Sequence, residues 1–123
     1  MVDSTICCFD TGGGRGQKER GQAVKVYIAG KITGDQDYKE KFISAEMSIK
    51  LGELESFGIK PDSIILNPVV LPAGMSNADY IKICLAMIDA ADVVIFLPDW
   101  HQSRGAQLEH SYCIYIGKQW TYI

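Results

Sequence analysis

A glutamate that follows a short polar turn is the residue of this sequence with the clearest chemical potential. Glu109 comes one to two helical turns after Ser103, and an apolar run at residues 93–97 precedes the turn. A carboxylate held in a partly dry cleft can act as a nucleophile or stabilise an oxocarbenium-like carbon. The alternative interpretation is that Glu109 is an ordinary solvated residue on a helix.

The turn before Glu109 also predicts an anion site at the start of a helix. Ser103 can cap a helix, and the first N–H groups of any helix have no partner within it. Ser103 and these N–H groups therefore form a candidate anion site, with simple capping as the alternative role of the serine. Gly105 and Ala106 are small enough for a ligand to come close to the backbone.

Two further segments are predicted to border the same cleft. Asp99, Trp100 and His101 follow the apolar run, where Trp100 could stack on a nucleobase and His101 could exchange a proton. Packing within the loop, or exposure to solvent, is the alternative for each of the three. Gly30 and Lys31 open a glycine-bounded loop that matches neither a dinucleotide-binding nor a Walker pattern, and that could equally be a tight turn.

Strands alternating with helices must position these residues. Residues 24–29, 63–67, 93–97 and 119–123 read as strands, and residues 38–56, 77–90 and 103–116 read as amphipathic helices, with Asn77 as the cap of the second. This alternation predicts an α/β fold with a parallel sheet covered on both faces. The loops at 30–37, 67–76 and 98–105 should then gather at the carboxyl edge, where such sheets bind ligands.

Composition predicts one domain and excludes several classes of partner. The chain has 123 residues, of which 47% are hydrophobic, so residues 23–123 can form a single core while the Gly-rich residues 1–22 read as a flexible tail. A net charge of −3 without a basic patch argues against polymeric nucleic acid. No apolar run approaches membrane-spanning length.

Cysteine usage predicts a reduced, cytoplasmic protein without a metal site. Cys7 and Cys8 are adjacent, while Cys84 and Cys113 stand alone on apolar helical stretches. No C-x-x-C pair and no Cys/His cluster is present, so we expect no zinc. Cys84 and Cys113 read as small core residues.

Four segments, in order and spacing, resemble a known superfamily. The chain is similar to the nucleoside 2-deoxyribosyltransferase-like superfamily, and most of all to its DUF4406 branch. The similar segments are residues 26–34 (Val-Tyr-Ile-Ala-Gly-Lys-Ile-Thr-Gly), Asn67-Pro68, residues 91–97 and residues 103–109 (Ser-Arg-Gly-Ala-Gln-Leu-Glu). The resemblance covers residues 24–123. It implies a flavodoxin-like or Rossmann-like three-layer sandwich with a four- to five-stranded parallel sheet, assembled as a homodimer or a larger homo-oligomer in a bacterial cytoplasm or that of a phage's host.

The resemblance also implies an activity. Characterised members cleave the N-glycosidic bond of nucleosides or nucleotides without a cofactor, and pass the sugar to another base as transferases or to water as hydrolases. By resemblance, Glu109 and Tyr27 are the catalytic residues and Gly30 and Gly105 line the site. Ser103 matches a serine that contacts phosphate, and Lys31 could pair with the same group.

One position departs from the superfamily pattern. Characterised enzymes carry an aspartate that helps to protonate the leaving base, and register with Ala91-Asp92 places Cys84 at that position here. Asp79, His101, Asp99 or water could supply the proton instead. Otherwise the chain carries out a different reaction, binds a nucleotide or an ADP-ribose-like ligand without cleaving it, or has a degenerate site in a structural role.

Overall fold

The computed structural model describes residues 23–123, so the predicted tail at residues 1–22 lies outside the described part of the chain. The strands are β1 (Lys25–Ala29), β2 (Ile64–Leu66), β3 (Val93–Phe96) and β4 (Gln119–Tyr122), and the helices are α1 (Tyr38–Lys50), α2 (Asn77–Ala90) and α3 (Arg104–Ile116). The four strands form one sheet in the order β2-β1-β3-β4, and every neighbouring pair is parallel. The predicted α/β class is therefore confirmed.

Alternation along the strands divides the core between the two faces of the sheet. Val26 and Ile28 of β1 pack with α1, whereas Tyr27 and Ala29 pack on the opposite face with α2 and α3. This two-residue period is the geometry of a pleated strand. The result is a three-layer, Rossmann-like sandwich in which Tyr27 points toward the α2/α3 layer.

Two element boundaries differ from the sequence predictions. The first helix ends at Lys50 rather than at residue 56, because Gly52 adopts a left-handed conformation with φ of 80° and a separate 3₁₀ turn follows at Glu55–Phe57. The cap of α2 is Ser76 rather than Asn77. The hydroxyl of Ser76 accepts from the N–H of Asp79 at 3.1 Å, which satisfies one of the free donors of the first turn.

The loop after β2 is fixed by a buried amide. Asn67 donates to the carbonyl of Phe42 at 3.1 Å and to Glu46 at 2.9 Å, and its side-chain oxygen accepts from the N–H of Val69 at 3.1 Å. These bonds hold a 3₁₀ turn at Pro68–Val70 against α1. At the opposite edge, the carboxylate of Asp92 accepts from the N–H of Lys25 at 2.8 Å, which links the starts of β3 and β1.

Within residues 23–123, no helix combines the length and hydropathy needed to cross a bilayer.

Candidate active site

A cavity of about 650 Å³ opens beside β1, between the starts of α2 and α3. Its volume falls in the range of sites for nucleotide-sized ligands. The lining includes five of the predicted site residues, namely Tyr27, Gly30, Ser103, Gly105 and Glu109. Residues that are distant in sequence therefore meet in one concavity at the carboxyl edge of the sheet, where α/β folds place their ligands.

A buried hydrogen bond joins the two predicted catalytic residues. The hydroxyl of Tyr27 donates to Oε2 of Glu109 at 2.8 Å, and the two residues are only 1% and 5% exposed. The helical period explains why Glu109 faces inward, because it lies on the buried stripe of α3 with Ala106 and Cys113. The glutamate is thus a fixed internal group, and the interpretation as a solvated surface residue is wrong.

Burial brings the pKa of the Glu109 carboxyl group close to neutral pH. Loss of hydration raises the pKa of Glu109 from 4.5 to about 7, while hydrogen bonds from Tyr27 and Cys84 act in the opposite direction. Burial, reinforced by the charge of Glu109, raises the pKa of Tyr27 well above its usual 10. Tyr27 therefore stays protonated as a donor, while Glu109 can change its charge near neutral pH.

Cys84 forms the third member of this buried group. It lines the cavity, is 5% exposed and interacts with both Tyr27 and Glu109. Burial raises the pKa of its thiol to about 11, so the thiol is neutral at physiological pH. The two aspartates of the same helix lie elsewhere, since Asp79 is exposed in its first turn and Asp89 accepts from the hydroxyl of Tyr112 at 2.7 Å.

Two predicted glycines of the site serve different purposes. A Cβ at Gly30 would lie 2.9 Å from Cδ1 and 3.1 Å from Cβ of Leu97, so packing against the end of β3 already demands a glycine there. A Cβ at Gly105 would meet nothing closer than 3.8 Å, from Ile81 and Ser103. Glycine at position 105 is therefore not required by packing, and its missing side chain leaves room in the cavity.

Ser103 occupies the start of α3 in the capping role considered from sequence. Its hydroxyl accepts from the N–H of Ala106 at 3.2 Å, and the same residue lines the cavity. The N-terminus of α3 carries the positive end of the helix dipole and points its first N–H groups outward. Capping and contact with an anionic ligand are compatible at this position.

Four other predicted site residues do not line the cavity. The N–H of Lys31 donates to the carboxylate of Asp99 at 3.2 Å, and Asp99 forms an ion pair with Lys41, which also pairs with Asp35. These contacts tie the loop after β1 to the loop after β3. Lys31 and Asp99 therefore join two loops whose neighbouring residues line the cavity, but they are not part of the lining themselves.

Trp100 and His101 are not part of the cavity lining either. The indole of Trp100 stacks on His110 with centroids 4.3 Å apart and an angle of 21°, and it lies nearly parallel to Tyr122 at 5.7 Å. His101 is exposed and touches Trp100 edge-on. Trp100, which was predicted to stack on a nucleobase, instead packs against α3 and β4.

Several lining residues were not predicted. Arg104, the first residue of α3, lines the cavity, as do Tyr80 and Asn77 of α2. The hydroxyl of Thr33 approaches Oδ1 of Asn77 at 3.4 Å, which connects the loop after β1 to the start of α2. The sequence contained a signal for Arg104, because a cation beside a helix N-terminus and a capping serine completes an anion site.

Among residues 23–123, no three His, Cys, Asp or Glu side chains lie close enough together to hold a metal ion.

Comparison with known proteins identifies a family but no activity. A family model described as a domain of unknown function, DUF4406, matches residues 24–122. No curated protein matches the chain.

Proposed function

We propose that this chain, which belongs to the DUF4406 family, cleaves the N-glycosidic bond of a nucleoside or nucleoside 5′-monophosphate and passes the sugar to water or to a second base. One observation carries the proposal: a buried Tyr27–Glu109 pair lies on the wall of a nucleotide-sized cavity. An oriented carboxylate can stabilise the oxocarbenium-like transition state of such a cleavage, and a neutral donor can fix the direction of that carboxylate.

In the proposed reaction, the bond from C1′ to the base nitrogen breaks and its electron pair leaves with the base. The positive charge that develops on C1′ is stabilised, or captured covalently, by the Glu109 carboxylate. Tyr27 holds that carboxylate in a fixed direction through its 2.8 Å hydrogen bond. Water or a second base then attacks C1′, and any bond from C1′ to Glu109 breaks, which restores the carboxylate. The one proton that the attacking group loses balances, through solvent, the one that the departed base gains.

The phosphate of a nucleotide substrate fits the start of α3. Ser103, Gly105 and Arg104 line this part of the cavity. A guanidinium beside free N–H groups suits a phosphate, because charge-assisted hydrogen bonds to its oxygens are short and strong. This arrangement favours a nucleotide over a free nucleoside.

A non-catalytic module that holds a nucleotide or ADP-ribose-like ligand is the second candidate. Cys84 favours it, because a thiol whose pKa burial raises to about 11 is a poor acid for a departing base. Such a module would return its ligand unchanged after long incubation.

We further propose that the chain works in the cytoplasm as a homo-oligomer. Cys84 and Cys113 are unbridged, as is usual in a reducing compartment. Tyr115 and Ile114 of α3 are 88% and 59% exposed, which gives a second subunit apolar surface to cover.

The test is incubation of the full chain with a panel of nucleosides and 5′-monophosphates, with release of free base read by chromatography. Wild type should release base, and Glu109→Gln should reduce the rate by orders of magnitude, because the substitution keeps the shape but removes the charge. Glu53→Gln makes the same chemical change at an exposed position and should retain the wild-type rate. Equal rates in wild type and Glu109→Gln would contradict the assignment, whereas intact ligand in every sample would favour the binding module.

A further inference from the structure

The ionisable side chains on the cavity wall include few groups that could act as a general acid toward a departing base. Within the described part of the chain, the lining contains five such groups: Tyr27, Tyr80, Cys84, Arg104 and Glu109. Glu109 is the only carboxyl group among them. It is also the group that must be ionised to stabilise a positive C1′, so it cannot hold a proton for the base in the same step.

The lack of a second acid restricts which bases can leave. A neutral base departs with the bonding electron pair and becomes an anion unless an acid protonates it. A positioned general acid is worth about 10²–10⁴-fold in rate. A base with a fixed positive charge on its ring needs no such help, because the electron pair of the breaking bond neutralises the ring.

We infer that the substrate of this site is a cationic N-glycoside, a nucleotide whose base is quaternised, as in a pyridinium ring or an N7-alkylated purine. This inference rests on the glycosidic cleavage proposed above and names its substrate class. In the step, the C1′–N bond breaks, the ring nitrogen keeps the pair and leaves neutral, and C1′ becomes the cation that Glu109 faces. Water then bonds to C1′ and loses one proton to solvent.

The surroundings of Glu109 suit a cationic ring. Its hydrogen-bond donors, Tyr27 and Cys84, are neutral groups, so neither brings a positive charge to the buried carboxylate. In a site of low polarity, such a charge attracts a cation far more strongly than it would in water. Tyr80, which is partly exposed on the cavity wall, adds an aromatic ring of the kind that binds cationic rings.

A matched pair of substrates tests the inference. The full chain is incubated with 7-methylguanosine 5′-monophosphate and with guanosine 5′-monophosphate, each as the ribo- and the 2′-deoxyribonucleotide. Free base is measured by chromatography and spontaneous release is subtracted. We expect kcat/KM for the methylated nucleotide to exceed that for its neutral partner by at least about 100-fold, and Glu109→Gln to abolish release from both.

A second variant tests the reason. Cys84→Asp places an acid beside Glu109 and should raise release from the neutral nucleotide by at least about tenfold, which narrows the gap between the two substrates. Cys84→Asn has nearly the same shape without an acidic proton and should give no such gain. If Cys84→Asp does not fold, the comparison of substrates in wild type still decides the inference.

The outcomes separate this inference from the proposed function. Release from guanosine 5′-monophosphate at a rate similar to that from its methylated form, and dependent on Glu109, would overturn the inference and leave glycosidic cleavage standing. No release from either nucleotide would overturn the inference, and no release from any nucleoside or 5′-monophosphate of the panel would overturn the proposed function as well. A strong preference for the methylated nucleotide supports both.

Discussion

Glu109→Gln should make the protein more stable at alkaline pH, by an amount that follows from the burial of the carboxyl group. The folded state raises the pKa of Glu109 from 4.5 to about 7. Between these two pH values the folded chain keeps a proton that the unfolded chain has already released. Stability therefore falls as pH rises through this window, by about 1.4 kcal/mol for each pH unit.

The sign and size of the effect are fixed by this linkage. Below pH 4.5 both states are protonated and Glu109 contributes no pH dependence. Above pH 7 both have lost the proton, and the accumulated penalty is about 3 kcal/mol. Glutamine cannot ionise, so the variant lacks this penalty, although its added N–H donors introduce an offset that is independent of pH.

Urea denaturation at pH values from 4 to 8.5 provides the measurement. The free energy of unfolding of Glu109→Gln minus that of wild type should rise between pH 4.5 and 7 and then level off, with a total rise of about 3 kcal/mol. Glu53→Gln, an identical change at an exposed site, controls for general charge effects. A difference that stays constant across the range would refute the view that burial raises the pKa of Glu109.

Two other predictions concern Tyr27 and the two glycines of the cavity lining. Tyr27→Phe removes the 2.8 Å hydrogen bond that favours the ionised form of Glu109, so the pKa of Glu109 should rise by about 1. Carbon NMR of the Glu109 carboxyl group measures this titration, and an unchanged pKa would contradict the role of Tyr27. Gly30→Ala places a methyl group 2.9 Å from Leu97 and should destabilise the fold by about 1–3 kcal/mol in thermal melts, and this cost should shrink when it is measured in a Leu97→Ala background. Gly105→Ala should be neutral or stabilising, and equal losses at both glycines would contradict the packing described here.

The fold was predictable from sequence because hydrophobic periodicity and the positions of glycine and proline indicate the same order of elements. Short strand patterns alternate with amphipathic helices, and glycine or proline follows most of them, so the order of elements and the parallel sheet follow from the sequence. The boundary of α1 was not predictable in the same way. Leu54 continues the apolar pattern beyond Lys50 but reaches the core from a turn after Gly52, and a pattern of burial does not distinguish a turn from a helix.

The site was predictable in part, and the reason lies in where the predicted residues sit. Tyr27 is on a strand and Glu109 is on a helix, so their directions follow from the period of each element. Trp100 and Lys31 lie in loops, where side-chain direction depends on contacts that sequence does not reveal. The stack of Trp100 on His110 involves a residue of α3 that the loop meets only after folding.

A purely structural explanation of the Tyr27–Cys84–Glu109 group must account for its energetic cost. Apolar residues of similar volume could fill this part of the core without the penalty of about 3 kcal/mol that a buried carboxylate imposes above neutral pH. The group lies on a wall of the cavity rather than in the sealed interior, and next to a glycine whose missing side chain leaves space. Proteins break local rules of polarity mostly at functional sites. The costly carboxylate lies beside open volume, where a ligand can bind. This position favours chemistry on a ligand, rather than conformational specificity, as the reason that the carboxylate is present.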